Sequence, residues 1–489
     1  MRSDHAHLAA SVSSLKGASL LCVGDIVLDR FVHGGVERIS PEAPIPVMLV
    51  ERETATLGAA GNVARNLVAL GALPRFLTAI GDDKPGREIT RLVAGQNQIE
   101  AALIVEPERQ TPIKTRFFAG SQQVMRVDHE QYSPLGADGC AQILDAAAEM
   151  MATVGAVVLS DYGKGLFSAE LVRGLIDGAR RQGLPVVVDP KGKDYRIYEG
   201  ATIITPNRKE LHQATGMPVD SDDGVAAAAR HLIATCGIGN VLATRGKDGM
   251  SLITGTGEEI HLPAEAREVF DVSGAGDTVT AVLAAALAGG IGIADAARLA
   301  NAAAAIVVGK IGIAVVEADE LIAALHLGAV AEGSTKIAGM GRAQERIADW
   351  RRQGLKIGFA HGCFDLLHPG HVSLLSQARA CCDRLVVGLN SDESARRLKG
   401  EGRPVQSESA RAIVLASLAA VDLVVPFAED TPVALIESLR PDILVRNAED
   451  DPNPTAGSEL MQSWGGRVLL AEPVEGQNTT ATIVRMRKR

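Results

Sequence analysis

Short apolar runs alternate with helix-length segments over roughly the first 330 residues, which is typical of a parallel α/β sheet. The predicted strands are Leu20–Val23, Ala156–Leu159, Val186–Val188, Thr202–Ile204 and Val241–Ala243. Each run ends in a polar or glycine-rich turn, and open α/β sheets bind their ligands at that end of the strands. Two alanine-rich segments, Asp277–Leu287 and Ala294–Val308, predict helices.

Two segments interrupt this alternation. Between Phe31 and Leu57, and again between Thr111 and Val127, apolar positions fall into short runs broken by proline and glycine. Such runs are typical of short strands. We therefore predict a small β lid that crosses over the main sheet.

The pattern changes after the last alanine-rich helix. Leu327–Gln344 contains several glycines and lacks strong periodicity, which predicts a linker. A new strand–loop–helix–strand unit follows, with strands at Lys356–Phe359 and Arg384–Gly388. The predicted organisation is an α/β domain over residues 1–331, a linker over 332–354, and a smaller Rossmann-like α/β domain over 355–489.

Composition narrows the class of protein. The six cysteines have neither metal-ligand nor disulfide-framework spacing, and the N-terminus lacks the features of a secretion signal. Both observations favour a cytoplasmic enzyme. A net charge of −10 and an aromatic content of 3% argue against nucleic acid as a partner. No apolar stretch reaches the roughly 18 residues of a membrane span, so no membrane partner is expected.

The first catalytic candidate is the glycine-rich turn from Asp271 to Thr278, which opens an alanine-rich helix. Glycines at a helix start let backbone N–H groups close around phosphate oxygens, and the helix dipole favours that charge. Asp277 falls in the first turn, where a carboxylate can accept a proton from an attacking sugar hydroxyl. The alternative is an aspartate that caps the helix next to ordinary turn glycines. This segment alone does not decide between the catalytic and the capping role.

Two other turns also follow predicted strands. Asn207 and Glu210 straddle one helical turn, so both could reach Mg²⁺ or its waters; the alternative is a helix cap with an acidic first turn. Thr244–Gly249 could contact the edge of a bound nucleotide; the alternative is a plain β-turn. The sequence contains no Gly-x-x-x-x-Gly-Lys-Ser/Thr loop and no protein-kinase signature, so those phosphoryl-transfer designs are excluded.

Taken together, these segments resemble the ribokinase-like carbohydrate kinase family over roughly residues 18–330. The resemblance implies a three-layer kinase domain with a β lid that uses ATP and Mg²⁺. It implies that Asp277 is the catalytic base and that Gly274, Ala275 and Gly276 form the anion hole. The remaining ATP-binding residues it implies are Asn207, Arg208, Lys209, Glu210, Thr244, Gly246 and Asn301, with Asn207 and Glu210 also organising magnesium. Asp271 resembles the family's monovalent-cation ligand, which leaves activation by K⁺ open.

The sugar side follows from the same resemblance. The residues it implies are Asp25, Asp29, Gly58 and Asn62. The family's paired glycines appear here as Gly58-Ala59, a departure that can alter the local turn. Lys164 follows a strand in the segment Ser160–Gly165, where it could hold an anionic group of the sugar. A surface lysine in a turn is the equal alternative.

The second half carries its own motif, His361 to His371, with Pro369-Gly370 between two histidines. His368 and His371 lie three residues apart at a helix start, hence on one face. Two imidazoles there can donate hydrogen bonds to an α-phosphate as pyrophosphate leaves. A zinc site is the competing idea, but no set of cysteines and histidines completes four ligands.

This half resembles the cytidylyltransferase-like nucleotidyltransferase family over roughly residues 355–487, through an intact His-x-Gly-His motif. The resemblance implies that His368 and His371 are catalytic. The other nucleotide-binding residues it implies are Gly362, Cys363, Phe364, Arg403, Thr479, Thr480 and Arg485. Relatives read lysine, two glycines and an aspartate where this chain reads Arg446-Asn447-Ala448-Glu449, which predicts a working but slower transferase.

The two domains in this order resemble a family of bifunctional enzymes of lipopolysaccharide-core synthesis. The segments carrying that likeness are Arg38–Pro44, Ser160–Lys164 and Asn390–Asp392. The resemblance implies phosphorylation of heptose 7-phosphate at O1, adenylyl transfer to heptose 1-phosphate, and a homodimer; an open edge of the lid points the same way. Two alternatives remain: the same chemistries on another sugar or nucleotide, and a second half that only binds nucleotide as a regulatory module.

Overall fold

The structure, a computed structural model, describes residues 5–120, 122–265, 269–310, 312–400, 402–447 and 458–472. The chain divides into two compact units, Met1–Leu325 and His326–Arg489. Within the described ranges, no helix is both long enough and apolar enough to cross a membrane.

The first unit contains thirteen strands among its described residues. In chain order these are β1 Ser19–Gly24, β2 Ile26–Ile39, β3 Pro46–Ala59, β4 Leu73–Gly81, β5 Glu100–Glu106, β6 Ile113–Ala119, β7 Gln122–His129, β8 Ala156–Ser160, β9 Val186–Asp189, β10 Ile203–Ile204, β11 Asn240–Thr244, β12 Met250–Thr254 and β13 Glu259–Leu262. Its helices are α1 His5–Ser11, α2 Ala60–Ala69, α3 Lys84–Ala94, α4 Ala137–Met151, α5 Ala169–Arg181, α6 Arg208–Thr215, α7 Asp222–Cys236, α8 Ala275–Ala288, α9 Ile293–Val307 and α10 Ala318–Thr335.

Nine of these strands form the main sheet, in the order β13-β12-β11-β10-β9-β8-β1-β4-β5. Every neighbouring pair is parallel except β11–β12 and β12–β13. Alternate residues of β1 enter opposite cores, Leu20 and Cys22 on one face and Leu21 and Val23 on the other. A sheet covered on both faces explains the continuous apolar runs of the sequence, and the predicted α/β fold is confirmed.

The lid is a separate four-stranded sheet in the order β3-β2-β6-β7. The predicted β lid is present, but the prediction of short strands was wrong for Phe31–Leu57, because β2 and β3 each run for 14 residues. Their pairing shifts register at His33/Gly34 and again at Val36/Arg38. A β-bulge inserts an unpaired residue and interrupts the period-two pattern without ending the strand, so the sequence looks broken where the strand is continuous.

The second unit is built on a five-stranded parallel sheet in the order β16-β15-β14-β17-β18. Its strands are β14 Ile357–Gly362, β15 Arg384–Asn390, β16 Leu423–Phe427, β17 Ile443–Asn447 and β18 Arg467–Ala471. Its helices are α11 Met340–Arg352, α12 Pro369–Ala380, α13 Asp392–Lys399, α14 Glu408–Ala416, α15 Val433–Leu439 and α16 Ser458–Gln462. Strand order reverses beside β14, which is where sheets of this class bind ligands.

Helices occupy most of the segment whose weak periodicity predicted a linker. Helix α10 extends to Thr335 and α11 begins at Met340. Ala343, Ile347 and Trp350 of α11 pack in the same core cluster as strand β14. This helix therefore belongs to the second unit, although it precedes the first strand of that unit's sheet.

Candidate active sites

The first candidate site is centred on Asp277 in the first turn of α8. Gly274 precedes the helix with φ +81°, a left-handed conformation that favours glycine. Asp277 is only 4% exposed. Its Oδ2 accepts a hydrogen bond from Asn62 at 2.7 Å, and its Oδ1 accepts one from the Tyr162 hydroxyl at 2.5 Å. The structure thus brings together the predicted base and the predicted sugar-binding asparagine, 215 residues apart in sequence.

Burial raises the pKa of Asp277 to about 6, although the hydrogen bonds from Tyr162 and Asn62 act in the opposite direction. The nearby charge of Asp29 raises this pKa further and that of Arg65 lowers it. A carboxyl group titrating near pH 6 is ionised at neutral pH and is basic enough to accept a hydroxyl proton. The site therefore has the electrostatics of a general base.

The two predicted aspartates before and within β2 have different surroundings. Asp25 is fully buried and accepts backbone N–H bonds from Tyr162, Lys164 and Leu166 at 3.0 to 3.2 Å, as well as a bond from Arg109 at 3.3 Å. These four donors occupy both carboxylate oxygens. Asp25 therefore fixes the loop after β8, and its contact with the sugar stays a prediction.

Asp29, in contrast, lies among charged side chains at the base of the lid. It forms an ion pair with Arg116 of β6, and burial raises its pKa above the usual range. A Cβ at Gly58 would lie 1.9 Å from Asp29 Oδ2, so only glycine fits at that position. The predicted residues Asp29 and Gly58 are thus neighbours, and glycine makes room for the carboxylate.

Lys164 is tied to the lid through an ion pair with Glu130 at 2.7 Å. Lys114 of β6 lies in the same electrostatic environment: burial lowers its pKa, Glu130 opposes that change and Lys164 adds to it. Asp128 also raises this pKa and Arg126 also lowers it, so three cations and two carboxylates lie at this edge of the site. The excess of positive charge is suited to an anionic group.

Asn207 and Glu210 form a complete capping box at the start of α6. Asn207 Oδ1 accepts from the Glu210 N–H at 2.9 Å, and Glu210 Oε2 accepts from the Asn207 N–H at 3.0 Å. Glu210 Oε1 is 2.7 Å from Lys191 Nζ. The helix-cap alternative is therefore realised in the structure. The same oxygen atoms are of the kind that binds Mg²⁺, directly or through water.

A cavity of about 330 Å³ lies beside the start of α8. Its lining includes the predicted nucleotide residues Thr244, Gly246, Ala275, Gly276 and Asn301. Apolar side chains line much of the remainder, as expected of a pocket that holds a flat, largely apolar ring. The structure thus brings together residues predicted from three separate segments.

The remaining predicted residues of the first site lie nearer the surface. Arg208 forms an ion pair with Asp248 at 3.0 Å, and Lys209 is exposed. Asp271 accepts the Ser273 N–H at 2.8 Å, which closes the turn before α8. Among the described residues, no group of three or more His, Cys, Asp or Glu side chains has the geometry of a preformed metal site.

Sequence reasoning missed two residues of this site. Tyr162 lies within the segment already singled out for Lys164, and its phenol contacts the base. Asp189 ends β9; burial raises its pKa well above the usual range, as do the charges of Asp277 and Glu210. Its position directly after a predicted strand was the available signal, because parallel strands present their carboxyl ends to the ligand.

The second candidate site is formed at the start of α12. His368 precedes the helix and His371 lies in its first turn, with ring centroids 3.9 Å apart. The ring of Phe364 packs against His371 with a centroid separation of 5.2 Å. The predicted placement of both imidazoles on one face of a helix start agrees with this geometry. A shallow pocket beside them is lined by Leu367, His368, Pro369, Val372, Ser373 and Ser376.

Asp365 and Arg411, neither of which was predicted, organise the loops around this site. Asp365 pairs with Arg403 and accepts the Val405 N–H at 2.6 Å. Arg411, fully buried, donates to the backbone oxygens of Cys363 at 2.6 Å and Asn390 at 2.9 Å. The Asp365 carboxylate thus holds Arg403, and the Arg411 guanidinium holds the backbone of Cys363. Both contacts join residues that are distant in sequence.

Two basic side chains lie at adjacent strand ends, His361 on β14 and Arg446 on β17. Burial, assisted by the charge of Arg446, lowers the pKa of His361 to about 4, so its imidazole is neutral at pH 7. Gly362 ends the same strand. The predicted residues Thr479, Thr480 and Arg485 lie outside the described residues, as do Ala448 and Glu449 of the departure from the family pattern.

Comparison with known proteins identifies both halves. Residues 18–319 match the pfkB family of carbohydrate kinases, and residues 359–472 match the cytidylyltransferase-like family. The chain is 58% identical to the bifunctional protein HldE of Paramagnetospirillum magneticum, covering 98% of both chains. It is 57% identical to that of Rhodospirillum rubrum, covering 98% of this chain and 97% of the relative.

Solved structures support the fold of the first half alone. Phosphofructokinase-2 from Escherichia coli in complex with potassium aligns with a TM-score of 0.54 at 19% identity. The alignment covers 64% of this chain and 99% of that protein. The predicted ribokinase-like and cytidylyltransferase-like halves are therefore confirmed.

Proposed function

This chain belongs to the family of bifunctional HldE proteins, a carbohydrate kinase joined to a nucleotidyltransferase, and we propose from that premise which two reactions it catalyses. The first is ATP-dependent phosphorylation of D-glycero-β-D-manno-heptose 7-phosphate at the anomeric O1. The second is adenylyl transfer from ATP to heptose 1-phosphate, which releases pyrophosphate and gives ADP-heptose for the lipopolysaccharide core. Because the kinase product carries two phosphates and the second substrate carries one, a phosphomonoesterase acts between them.

The observation that carries the kinase proposal is a buried carboxylate at a helix start beside a nucleotide-sized cavity. Asp277 accepts the proton of the O1 hydroxyl as that oxygen attacks the γ-phosphorus of ATP. Backbone N–H groups of Gly274, Ala275 and Gly276 stabilise the transferred group, since a helix start favours negative charge. The lined cavity at Thr244 and Asn301 holds the adenine. Most of the rate comes from positioning and charge stabilisation.

Magnesium accompanies ATP in this proposal and neutralises the developing charge on the phosphates. Oxygen donors of Asn207 and Glu210 fit its preference for hard ligands, and Asp189 adds a carboxylate to the same electrostatic environment. Lys191, paired with Glu210, would contribute a cation next to these oxygens. Activation by K⁺ at Asp271 is a further part of the proposal, supported by a relative's structure in complex with potassium.

The sugar is oriented by Asp29 and Asn62 at its O1 end and by cations at its phosphate end. Lys164 and Lys114 converge on Glu130, which leaves one positive charge in excess. We assign the 7-phosphate to this pair, because a dianion compensates two lysines better than a single carboxylate does. Lys164→Met should therefore raise KM for heptose 7-phosphate much more than KM for ATP.

Adenylyl transfer needs no protein nucleophile, because the sugar phosphate attacks the α-phosphorus of ATP directly. His368 and His371 stabilise charge on the phosphates as pyrophosphate leaves. Arg403, held by Asp365, adds a planar cation that can bind phosphate through two nitrogens. The family's terminal threonine segment, here Thr479 and Thr480, would complete the nucleotide site.

The deciding experiment supplies each half with its own substrate. Purified protein is incubated with heptose 7-phosphate and ATP, and separately with heptose 1-phosphate and ATP, and the products are identified by mass spectrometry. Heptose 1,7-bisphosphate in the first reaction and ADP-heptose with pyrophosphate in the second are expected. Turnover only with other sugars or with CTP would reassign the substrates. Kinase activity without any nucleotidyl transfer would support a regulatory second half.

We also propose a cytoplasmic homodimer that associates through the lid. Strand β7 is exposed along its whole length at one edge of the lid, and β3 at the opposite edge carries exposed apolar side chains, with Leu49 75% exposed. An exposed strand edge with apolar side chains is a ready pairing surface. Light scattering should give the mass of a dimer for the wild type and of a monomer for Leu49→Asp. Leu73→Asp, an exposed leucine of the main sheet, is the matched control.

A further inference from the structure

Tyr162 contacts the kinase base through a phenol that the reaction itself does not need. Its backbone N–H donates to Asp25 Oδ2 at 3.0 Å, which fixes the loop after β8. Its hydroxyl donates to Asp277 Oδ1 at 2.5 Å, while Asn62 occupies Oδ2. Both oxygens of the base therefore have a fixed donor, and the carboxylate cannot rotate without breaking one of these bonds.

From this geometry we propose that Tyr162 is a positioning residue for phosphoryl transfer, which holds Asp277 in one orientation and stabilises its ionised form. The inference rests on the proposed kinase function. A hydrogen bond donated to a carboxylate favours the charged form, and such bonds to charged groups are stronger than those between neutral groups. The phenol itself remains protonated, because burial and the nearby Asp277 raise the pKa of Tyr162 well above its usual range.

Among the other charged and titratable groups around Asp277, some raise its pKa and some lower it. They come from four elements around Asp277: Cys22 of β1, Asp29 of β2, Arg65 of α2 and Asp189 of β9. Burial and Asp29 disfavour the ionised carboxylate, whereas Arg65 favours it. Desolvation is the largest influence on this pKa, and the donor bonds from Tyr162 and Asn62 oppose it together with the charge of Arg65.

The chain supplies a matched control in the neighbouring pair of Tyr198 and Asp161. The Tyr198 hydroxyl donates to Asp161 Oδ2 at 2.7 Å, and Tyr198 is as deeply buried as the core. Tyr198→Phe therefore removes a buried tyrosine–aspartate hydrogen bond without touching Asp277, together with the bonds between the same hydroxyl and the backbone of Lys191. Any general effect of losing a phenol from this region appears in both variants, and an effect on the base appears only in Tyr162→Phe.

The test is the pH profile of kinase kcat between pH 5 and 9 for the wild type, Tyr162→Phe and Tyr198→Phe. The acid limb of Tyr162→Phe should move upward by about one pH unit, with kcat at pH 6 lowered about fivefold. KM for ATP should stay within about twofold, because a phenol at Oδ1 does not contact the nucleotide cavity in this proposal. Tyr198→Phe should keep the wild-type limb.

Two further measurements test the inference, and the first keeps it falsifiable even if Tyr162→Phe folds poorly. A fluorinated tyrosine at position 162 has a more acidic phenol, so its stronger donation should move the acid limb downward. In the Asp277→Asn background, adding Tyr162→Phe should cost less than about twofold, since a residue acting through Asp277 has nothing left to position. An unchanged limb in both position-162 variants, with an active wild type, would overturn this inference alone. Absence of phosphoryl transfer by the wild type would overturn the proposed function with it.

Discussion

The kinase half encloses its proposed base, whereas the transferase half keeps its two proposed phosphate-binding histidines at a more open surface. Asp277 is buried between two hydrogen-bond donors, while His368 and His371 are half-buried at the start of a helix beside a shallow pocket. A carboxylate needs burial to bring its pKa near neutrality for proton abstraction. Groups that only stabilise phosphate charge need fixed positions and access to it. The difference follows from whether the reaction moves a proton.

The two halves nevertheless solve the problem of loop placement in a similar way. In the kinase half, the carboxylate of Asp25 collects three backbone N–H groups of one loop. In the transferase half, the guanidinium of Arg411 collects backbone oxygens of Cys363, Asn390 and Gln406. A buried charge with its hydrogen-bonding capacity filled is stable and costly to disturb. Each loop is therefore rigid where it carries catalytic or binding residues.

The largest expected effect concerns the boundary between these halves. A fragment of residues 326–489 should fold and retain adenylyl transfer, whereas residues 355–489 should not fold. The shorter fragment lacks α11, whose Ile347 and Trp350 are buried in the core of the second unit. Loss of both side chains costs about 4–5 kcal/mol, comparable to the whole stability of a small domain, about 5–15 kcal/mol. Circular dichroism and pyrophosphate release check this.

The matching kinase fragment, residues 1–325, should phosphorylate sugar without the second half, because its own core clusters are complete among the described residues. A folded, active 355–489 fragment would mean that α11 contributes little. Loss of activity in both 1–325 and 326–489 would mean that the halves depend on each other.

The second prediction removes the proton acceptor. Asp277→Asn should lower kinase turnover about 100-fold or more, because the amide keeps the size of the side chain but cannot accept the O1 proton. Adenylyl transfer by the same preparation should be unchanged. Coupled assays for ADP and for pyrophosphate measure the two activities separately. A near-normal kinase rate would remove Asp277 from the role of base.

The third prediction is the reciprocal change in the other half. His368→Asn and His371→Asn should each lower adenylyl transfer about 100-fold or more, the usual cost of losing one donor that stabilises charge in the transition state. Kinase turnover should stay at the wild-type value. If either variant transferred adenylyl groups normally, the stacked histidine pair would be structural.

How much of the fold could be predicted from the sequence depends on how far apart in the chain the interacting residues are. Strands β1, β8 and β9 are continuous apolar runs because both faces of the sheet are covered, so they were predicted from local pattern alone. Lid strands were missed as long strands because bulges shift the alternation. Helix α11 was missed because only one narrow face of it is buried, at Ala343, Ile347 and Trp350.

The sites divide in the same way. Asp277 and the histidine pair stand in local motifs whose residue types already indicate phosphate chemistry. Tyr162, Asp365 and Arg411 act through partners 115, 38 and 48 residues away, and no local pattern marks such pairs. Asp25 was predicted from its local segment, but the backbone N–H groups that it binds follow β8, more than 130 residues later, and no local pattern marks them.

The fourth prediction uses pH to separate the halves. With the pKa of Asp277 raised to about 6, the base is ionised above that pH and protonated below it. Kinase kcat should therefore be level above pH 7 and fall about tenfold per unit well below pH 6. Adenylyl transfer uses the same ATP but not Asp277, so its rate should not show the same decrease below pH 6. A common limb in both activities would indicate titration of the nucleotide instead.

The smallest effect tests a strained turn in the kinase half. Ala59 has φ +53° and ψ −129°, a conformation open essentially to glycine, where the family has the second of two glycines. Such strain costs about 1–3 kcal/mol, and the extra freedom of glycine in the unfolded chain offsets about 0.5–1 kcal/mol of the relief. Ala59→Gly should therefore stabilise the kinase half by about 1 kcal/mol, seen as a rise of about 2–4 °C in its melting temperature.

Ala60→Gly, one residue later in the regular first turn of α2, is the matched control and should lower stability by up to about 1 kcal/mol. Equal destabilisation by both changes would show that the turn at Ala59 is not strained, and that the missing glycine was replaced without cost.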